Sequence, residues 1–366
     1  MRILLVIEPS GGGSGRHVAD LAQALIQAGH DVSLIYSPLR ADSVFQDAVA
    51  ALSLKALERL PMRRGVGPWD IGALSALNRL IARLGPFEVI HGHSAKAGAL
   101  VRLAKAPGAA RLYTPHALPM MGPLRPATML AGAAEWLLAW KTHSAIIAVS
   151  QEEAACAHRW GLPDSRLHVV PNGLAAWPSS DRQAARHGLG LPDDARIIGF
   201  VGRLCAQKDP VRFARAVRLA QAKDPRVVGV MIGDGDLAPA VRTAGGDAVR
   251  LLGARDAGPL MAGFDLFAMT SRYEAGSYAM IEAAALGLPI VTTDVGGVAA
   301  LIDAGARIDR LPLDATPERL AEALLAALHH PAVTSPLKND SLSAARMAAQ
   351  TLRVYRHAFV LRRLGG

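Results

Sequence analysis

The chain has 366 residues, of which 51% are hydrophobic and 19% are charged. This balance excludes a disordered protein, and the length exceeds that of one usual hydrophobic core, so about two domains are expected. The net charge of +9 favours anionic partners such as nucleotides or lipid phosphates. Aromatic residues make up only 5% and no zinc-finger or base-stacking motif is present, which makes nucleic acid a weaker candidate.

Cysteine usage and the apolar segments bound the class of protein further. Cys156 and Cys205 lack CxxC spacing, so neither a disulfide framework nor a cysteine-based zinc site is predicted. The run MRILLVIEPS at the N-terminus is interpreted as a strand rather than a signal peptide. The most apolar longer stretch, 127–140, is 14 residues long and contains Glu135, whereas a membrane span needs about 20 residues. A cytoplasmic protein is therefore expected.

Short apolar runs alternate with helical patterns along the whole chain. The runs before the middle of the sequence cover 2–8, 32–36, 88–93, 111–116, 145–150 and 167–173. The pattern is lost over 174–195, and it restarts with runs at 196–202, 227–233, 249–253, 264–270 and 289–294. Such alternation predicts two doubly wound α/β domains, each with a parallel sheet covered by helices. Ligands of these sheets bind beyond the carboxyl ends of the strands, and the cleft between the domains is the expected site.

Three strand-end segments carry the candidate chemistry. GGGSG (11–15) opens a helix and suits an anion, but it departs from the dinucleotide fingerprint, and a simple tight turn explains it equally well. Arg203 and Lys208 follow the strand that restarts the pattern and would converge on a diphosphate, or else form surface salt bridges. Glu274 and Glu282 lie before and within a predicted helix, where two glutamates are commonly just solvated charges.

These segments together carry a family resemblance. Arg203, Lys208, Glu274-x7-Glu282 and GLPIVTTDVGG (287–297) resemble the donor site of family 4 retaining glycosyltransferases with the GT-B fold. Four N-terminal motifs appear in the order that this family has; they are GGGSGRH (11–17), HGHSAKAG (91–98), YTPHA (113–117) and VVPNG (169–173). The resemblance covers nearly the whole chain. It implies two Rossmann-like domains, an acceptor domain at 1–173 and a donor domain at 174–344, with a final helix at 345–366 that packs back on the first domain.

The resemblance also implies roles for individual residues. Arg203 and Lys208 would neutralise the donor diphosphate, Glu282 would bond the ribose, and Glu274 would face the transferred sugar. His116 corresponds to the active-site histidine of the family. Further candidates implied by the motifs are Gly233 on the donor nucleotide and Gly12, Gly13, His93 and Lys96 on the acceptor side. For His91 a packed, hydrogen-bonded histidine is the preferred interpretation. No metal site and no cofactor are predicted, since no cluster has metal-ligand spacing.

The donor and the acceptor follow less directly from the sequence. The family commonly has an aromatic residue shortly after its first glutamate, whereas Glu274-Ala275-Gly276-Ser277 has none, so the sugar is left open between UDP-sugars and GDP-mannose. A polyprenyl-diphosphate-linked sugar in bacterial surface polysaccharide synthesis is the expected acceptor. Arg59, Arg63, Arg64, Arg79 and Arg83 lie among apolar positions and would rest on an anionic membrane, or else form solvated helix faces.

Parts of the sequence are also compatible with three other functions. Paired carboxylates also serve glycoside hydrolysis, but a glutamate assigned to a ribose is poorly suited to flank a glycosidic bond. A two-domain Rossmann oxidoreductase is disfavoured by the missing fingerprint. A two-lobed sugar-binding protein is usually exported, whereas no signal peptide is predicted here.

Overall fold

The computed structural model describes residues 1–178, 181–329 and 340–364. The contacts divide the chain into two compact units, Met1–Ala175 with Leu342–Gly366, and Ala176–Ser341. Ser179 and Ser180 of the predicted linker and Gly365 and Gly366 of the predicted final helix lie outside the described residues.

The first unit is built on a seven-stranded parallel sheet in the order β3-β2-β1-β4-β5-β6-β7. Its strands are β1 (Arg2–Ile7), β2 (Asp31–Tyr36), β3 (Ala56–Arg59), β4 (Val89–His93), β5 (Ala110–Thr114), β6 (Ala145–Ala148) and β7 (Leu167–Val169). Its helices before residue 175 are α1 (Gly12–Gln27), α2 (Ser43–Ala50), α3 (Trp69–Leu84), α4 (Ser94–Leu103), α5 (Pro126–Thr142) and α6 (Gln151–Arg159). Aliphatic strands such as β1 are buried on both faces, as a helix-covered parallel sheet requires.

The second unit repeats the design with six parallel strands in the order β10-β9-β8-β11-β12-β13. Its strands are β8 (Arg196–Val201), β9 (Val227–Ile232), β10 (Val249–Leu251), β11 (Leu266–Met269), β12 (Ile290–Thr293) and β13 (Ile308–Leu311). Its helices are α7 (Arg182–Leu189), α8 (Pro210–Lys223), α9 (Ala238–Gly245), α10 (Gly258–Met261), α11 (Tyr278–Ala285), α12 (Val298–Asp303) and α13 (Pro317–His329). The predicted fold class, two doubly wound α/β units, is confirmed.

The last helix, α14 (Ala344–Leu364), belongs to the first unit. Met347, Leu352 and Tyr355 are buried in the core cluster that α1 and β1 also form, and Phe359 packs against its edge. The chain enters this helix through hydrogen bonds at Leu174, whose N–H donates to Leu342 and whose carbonyl accepts from Ala344. The C-terminal segment thus supplies part of the core of the first unit.

Candidate functional site

In the second unit the loops at the carboxyl ends of β8 and β9 lie against each other. Gly233 has a φ of +137°, and a Cβ there would lie 2.0 Å from the carbonyl oxygen of Gly202. Only glycine allows that approach. The Leu204 N–H also donates to the carbonyl of Asp234 at 2.9 Å. The predicted nucleotide residue Gly233 therefore stands beside the loop that carries Arg203 and Lys208.

An ion pair joins the β8 loop to the loop after β11. The Lys208 Nζ lies 2.7 Å from the Glu274 Oε1, and the two side chains are 14% and 9% exposed. The Gln207 amide donates to the Tyr273 carbonyl at 3.1 Å and lies 3.5 Å from the same Glu274 oxygen. Two residues predicted from different motifs thus meet, and they present a cation and a carboxylate at the ligand end of the sheet.

The other predicted donor residues flank this pair. Arg203 is exposed in the β8 loop, and Glu282 is half-buried in the middle of α11. Helix α8 begins at Pro210, directly after Asp209. Asp209 forms ion pairs with Arg212 and Arg272. No local sequence pattern indicates that these two arginines fix the β8 loop.

The first unit gathers four histidines at the ligand end of its sheet. His17 lies on α1, His91 and His93 on β4, and His116 directly follows β5. The rings of His17 and His116 are 4.5 Å apart, and the His93 Nδ1 lies 3.2 Å from the His116 Nε2. The motifs named His93 and His116 as neighbours of one site, and the fold brings them into contact. His17 lies 2.9 Å from its hydrogen-bond partner Asn172. The two residues belong to the motifs GGGSGRH and VVPNG, which by themselves indicate no role for either.

Burial sets the charge state of this cluster. Desolvation lowers the pKa of His17 to about 4. It also lowers the pKa values of His91, His93 and His116 well below 6.5, and neighbouring histidines add repulsion. The four imidazoles are therefore neutral at neutral pH, so each offers one donor and one acceptor nitrogen.

His91 is a packed, hydrogen-bonded histidine, as expected from the sequence. Its Nδ1 lies 2.8 Å from the Tyr355 hydroxyl and its Nε2 lies 2.9 Å from the Thr114 hydroxyl, so both nitrogens are engaged. His93 differs, since its buried Nε2 has no hydrogen-bond partner in the part of the chain that the structure describes. A buried nitrogen of this kind suits contact with a polar ligand group.

The backbone at His116 is held in an unusual conformation. His116 and Ala117 have φ angles of +55° and +88°, which side-chain-bearing residues rarely adopt. Glu153, fully buried, accepts hydrogen bonds from the N–H groups of Ala117, Leu118 and Val149 at 2.7, 3.1 and 2.8 Å. Burial raises the pKa of Glu153 to about 7, although these donors oppose the shift. Glu153 lies three residues after Ser150, the N-cap of α6, and this is the spacing of a capping box. That spacing is the sequence signal by which Glu153 could have been found.

The remaining acceptor-side candidates have different surroundings. Gly12 and Gly13 are exposed in the first turn of α1, and the Gly12 N–H donates to Asp42 at 2.8 Å. The Lys96 Nζ lies 2.6 Å from the carbonyl of Gly65 and from both oxygens of Asp70. Its charge is therefore compensated by Asp70, and Lys96 fixes the start of α3.

Three of the histidines have the donor set of a transition-metal site. One nitrogen each from His17, His93 and His116 lies within 4.8 Å of the others. Neutral imidazole is a common ligand of zinc and related metals. Linear spacing could not reveal this group, because the three residues come from separate strand-end segments. The prediction that the protein works without a metal remains a prediction.

The lowered histidine pKa values predict a pH-dependent stability. The pKa of His17 is about 4 in the folded chain and 6.5 in the unfolded chain, so unfolding takes up a proton between these pH values. The stabilisation from this group is complete above pH 6.5 and is lost as the pH falls towards 4. Relative to wild type, His17→Gln should therefore gain up to about 1.4 kcal/mol of unfolding free energy per pH unit of acidification in that window.

Urea unfolding followed by tryptophan fluorescence measures this difference. Trp69, Trp136, Trp140 and Trp160 all lie in the first unit, so the signal reports mainly on it. Buried acids with a raised pKa change the stability with pH in the opposite direction. They are present in both wild type and His17→Gln, so their contribution cancels in the free-energy difference. His187→Gln, at an exposed position of α7, is the control. A constant free-energy difference between His17→Gln and wild type from pH 7 to pH 5 would contradict the prediction.

Comparison with known proteins identifies the family. The model for Glycosyltransferase Family 4 matches residues 11–176, and the model for glycosyl transferases group 1 matches residues 195–330. The D-inositol 3-phosphate glycosyltransferase of Stackebrandtia nassauensis is 29% identical over 60% of this chain and 56% of its own length. An Escherichia coli UDP-Gal:alpha-D-GlcNAc-diphosphoundecaprenol alpha-1,3-galactosyltransferase is 26% identical over 62% of this chain and 63% of its own. The aligned part of this chain thus spans little more than half of the length of these relatives.

Solved structures match over nearly the full chain. A sucrose-phosphate synthase from Thermosynechococcus elongatus gives a TM-score of 0.78 at 21% identity, covering 99% of this chain and 100% of its own. HepE of Anabaena, in complex with UDP-glucose, gives 0.73 at 20% identity, covering 100% and 99%. At these identities the structures establish the GT-B fold. Among the described residues, no helix combines the length and apolar character needed to cross a bilayer.

Two adjoining family models and the GT-B fold agree with the motifs at both strand-end sites. The chain belongs to the family 4 glycosyltransferases, with a group 1 glycosyl transferase domain in its second unit.

Proposed function

We propose that the protein is a retaining, metal-independent hexosyltransferase that moves a sugar from a nucleotide-sugar to a hydroxyl acceptor. The observation that carries the proposal is the ion pair between Lys208 and Glu274, beside Arg203 and Gly233, at the ligand end of the second sheet. This arrangement offers cations to a diphosphate and a carboxylate to a sugar hydroxyl, while the first unit supplies the acceptor side. The family match speaks against the oxidoreductase and sugar-binding alternatives.

UDP is the nucleotide we favour. The Escherichia coli relative is named for UDP-galactose, and HepE was solved with UDP-glucose. Thermal stabilisation by a panel of UDP-, GDP- and ADP-sugars tests this choice, since a ligand that binds only the native state raises its apparent stability. We expect UDP-sugars to shift the melting temperature most. A larger shift with GDP-mannose would contradict the choice of nucleotide.

For the acceptor we propose a polyprenyl-diphosphate-linked sugar in bacterial surface polysaccharide synthesis, on the inner face of the cell membrane. The diphosphoundecaprenol acceptor named for the Escherichia coli relative supports it. D-inositol 3-phosphate, named for other relatives, is the competing acceptor. Transfer assays with both acceptors, with and without a chelator, decide the acceptor class and the metal requirement. Loss of turnover in chelator would contradict metal independence and direct attention to the histidine cluster.

His116 is the residue we expect to act in the transfer step. Its neutral imidazole is held beside His17 and His93 by a strained backbone, so its position is preorganised. His116→Ala should leave donor binding nearly unchanged and lower kcat strongly, because the contact is proposed to strengthen in the transition state. Titration with UDP and steady-state kinetics measure the two effects.

His168, a half-buried histidine of β7, provides the matched control for that substitution. His168→Ala should retain turnover. Wild-type kcat in His116→Ala would leave His116 with a packing role only.

A further inference from the structure

Helix α5 presents an outward face that carries no charged residue before Lys141. The exposed residues from 126 to 140 are all apolar or tryptophan; they are Pro126, Ala127, Met129, Leu130, Ala133, Ala134, Trp136, Leu137 and Trp140. Leu130 is 73% exposed, and Trp136 and Trp140 are 46% and 48% exposed. A surface helix normally carries charged or polar residues on its solvent face. A contiguous apolar face of this kind marks an interaction surface.

The opposite face of α5 is fixed to the first unit. Glu135 forms a buried ion pair with Arg102 at 2.7 Å and accepts a hydrogen bond from the Tyr113 hydroxyl at 3.2 Å. At Gly132 a Cβ would lie 2.5 Å from the Trp160 ring, so glycine permits close packing there. The helix therefore cannot rotate to bury its apolar face without separating a buried ion pair.

The charge around this helix favours an anionic partner. From 89 to 150 the sequence has six Lys or Arg residues, of which Lys96 is paired with Asp70 and Arg102 with Glu135, the one acidic residue of that segment. The other four are Lys105, Arg111, Arg125 and Lys141. Because Arg102 neutralises Glu135, α5 exposes no carboxylate to repel a negative surface. Arg125 and Lys141 lie exposed at its two ends. An apolar face with cations at its ends and exposed tryptophans is typical of helices that lie in the headgroup region of a bilayer.

We propose that α5 is an interfacial helix that docks the first unit on an anionic lipid bilayer. Trp136, Trp140, Leu130 and Leu137 enter the headgroup boundary, and Arg125 and Lys141 contact lipid phosphates. This deepens the proposed function, because a lipid-linked acceptor would lie in the same bilayer. Of the arginines named in the sequence analysis, Arg83 pairs with Glu58 at 2.7 Å, Arg79 donates to Ser75 and Arg59 donates to Tyr36, so these three have partners within the protein.

Vesicle flotation of the full chain tests the proposal. Vesicles of phosphatidylglycerol mixed with phosphatidylcholine should carry the wild-type protein, and pure phosphatidylcholine should carry much less. Leu130→Ser with Leu137→Ser should weaken binding by about tenfold or more, because binding scales with the apolar area inserted. The control pair is Leu219→Ser with Ile302→Ser, two residues of the second unit that are each 38% exposed, and it should bind like wild type. Salt should weaken binding only in part, since the apolar contribution is not screened.

A second readout does not depend on how the double serine variant folds. Lipids brominated near the headgroup should quench the tryptophan fluorescence of the wild type, and Trp136→Phe with Trp140→Phe should remove most of that quenching. Lack of vesicle binding by the wild type, or undiminished binding by a folded Leu130→Ser, Leu137→Ser variant, would overturn the proposal. So would a wild-type dimer in light scattering that the serine pair converts to monomer, because a second copy would then cover α5.

The test of membrane docking can be separated from the test of sugar transfer. Sugar transfer to a short-chain, water-soluble acceptor is measured without vesicles. Transfer without vesicle binding would overturn the docking helix alone, whereas vesicle binding without transfer of any sugar would overturn the enzymatic proposal alone.

Discussion

Replacing Arg203 or Lys208 with alanine is expected to lower sugar transfer by about 10²–10³-fold, the usual effect of removing one preorganised electrostatic donor. As the bond from the sugar to the phosphate breaks, the leaving diphosphate gains negative charge. A cation already in place stabilises that charge more in the transition state than in the ground state. Arg203 is exposed in the β8 loop and Lys208 follows in the same loop, which is the loop that the proposed function assigns to the diphosphate.

The two substitutions differ in their side effects. Arg203→Ala removes an exposed side chain and should leave the fold unchanged. Lys208→Ala leaves the carboxylate of the buried Glu274 without its ion-pair partner, so it should also lower stability. In the double variant Lys208→Ala, Glu274→Gln, the neutral amide removes the unpaired buried charge, so stability should recover, but the cation is still missing. Recovery of stability but not of kcat in the double variant would assign the loss of transfer to Lys208 itself.

Donor-saturation kinetics separate binding from chemistry. Glu282→Ala should raise the donor KM with little change in kcat, because a ribose contact is made equally in the ground and transition states. Arg242→Ala, at an exposed arginine of α9 in the same unit, should match wild type in both constants. Wild-type kcat and KM in Arg203→Ala and in folded Lys208→Ala would remove the main support for the proposed diphosphate site.

The alternation of apolar runs was sufficient to predict the fold class and most strands. The strands that the pattern did not indicate are β3 (Ala56–Arg59) and β13 (Ile308–Leu311), which lie at the edges of their sheets. Both contain charged residues, because an edge strand is covered on fewer sides than a central one. An inner strand such as β6 is fully buried, and its sequence Ala145–Ala148 is a continuous apolar run.

Contacts within the sites could be predicted only in part. The motifs placed Lys208 and Glu274 at strand ends, and parallel sheets bring such ends to one edge, so their meeting follows from topology. The capping-box spacing marks Glu153 as a residue of the first turn of α6, but it does not indicate that Glu153 holds the loop at His116, since that depends on how α6 packs against β6 and the segment after β5. The same holds for His17, which joins His93 and His116 only through the position of α1.

Removing residues 345–366 is expected to unfold the first unit. The deletion takes Met347, Leu352 and Tyr355 out of a core shared with α1 and β1. Loss of a buried aromatic alone costs about 3–5 kcal/mol, and a whole domain is stable by only about 5–15 kcal/mol. We therefore expect an aggregated or protease-sensitive product rather than an enzyme with a modest defect.

Graded variants make this prediction independent of solubility. Tyr355→Phe removes only the hydroxyl that bonds His91 at 2.8 Å, so it leaves a buried nitrogen unpaired and should cost about 1–3 kcal/mol. Tyr355→Ala should cost more, because it also opens a cavity in the core. Deleting only 361–366, where Leu361, Arg362 and Arg363 are exposed, should leave stability near wild type. Urea unfolding gives the order of the variants. If the 345–366 deletion unfolded at the wild-type urea concentration, α14 would add nothing to the core of the first unit, and its burial there would have no energetic consequence.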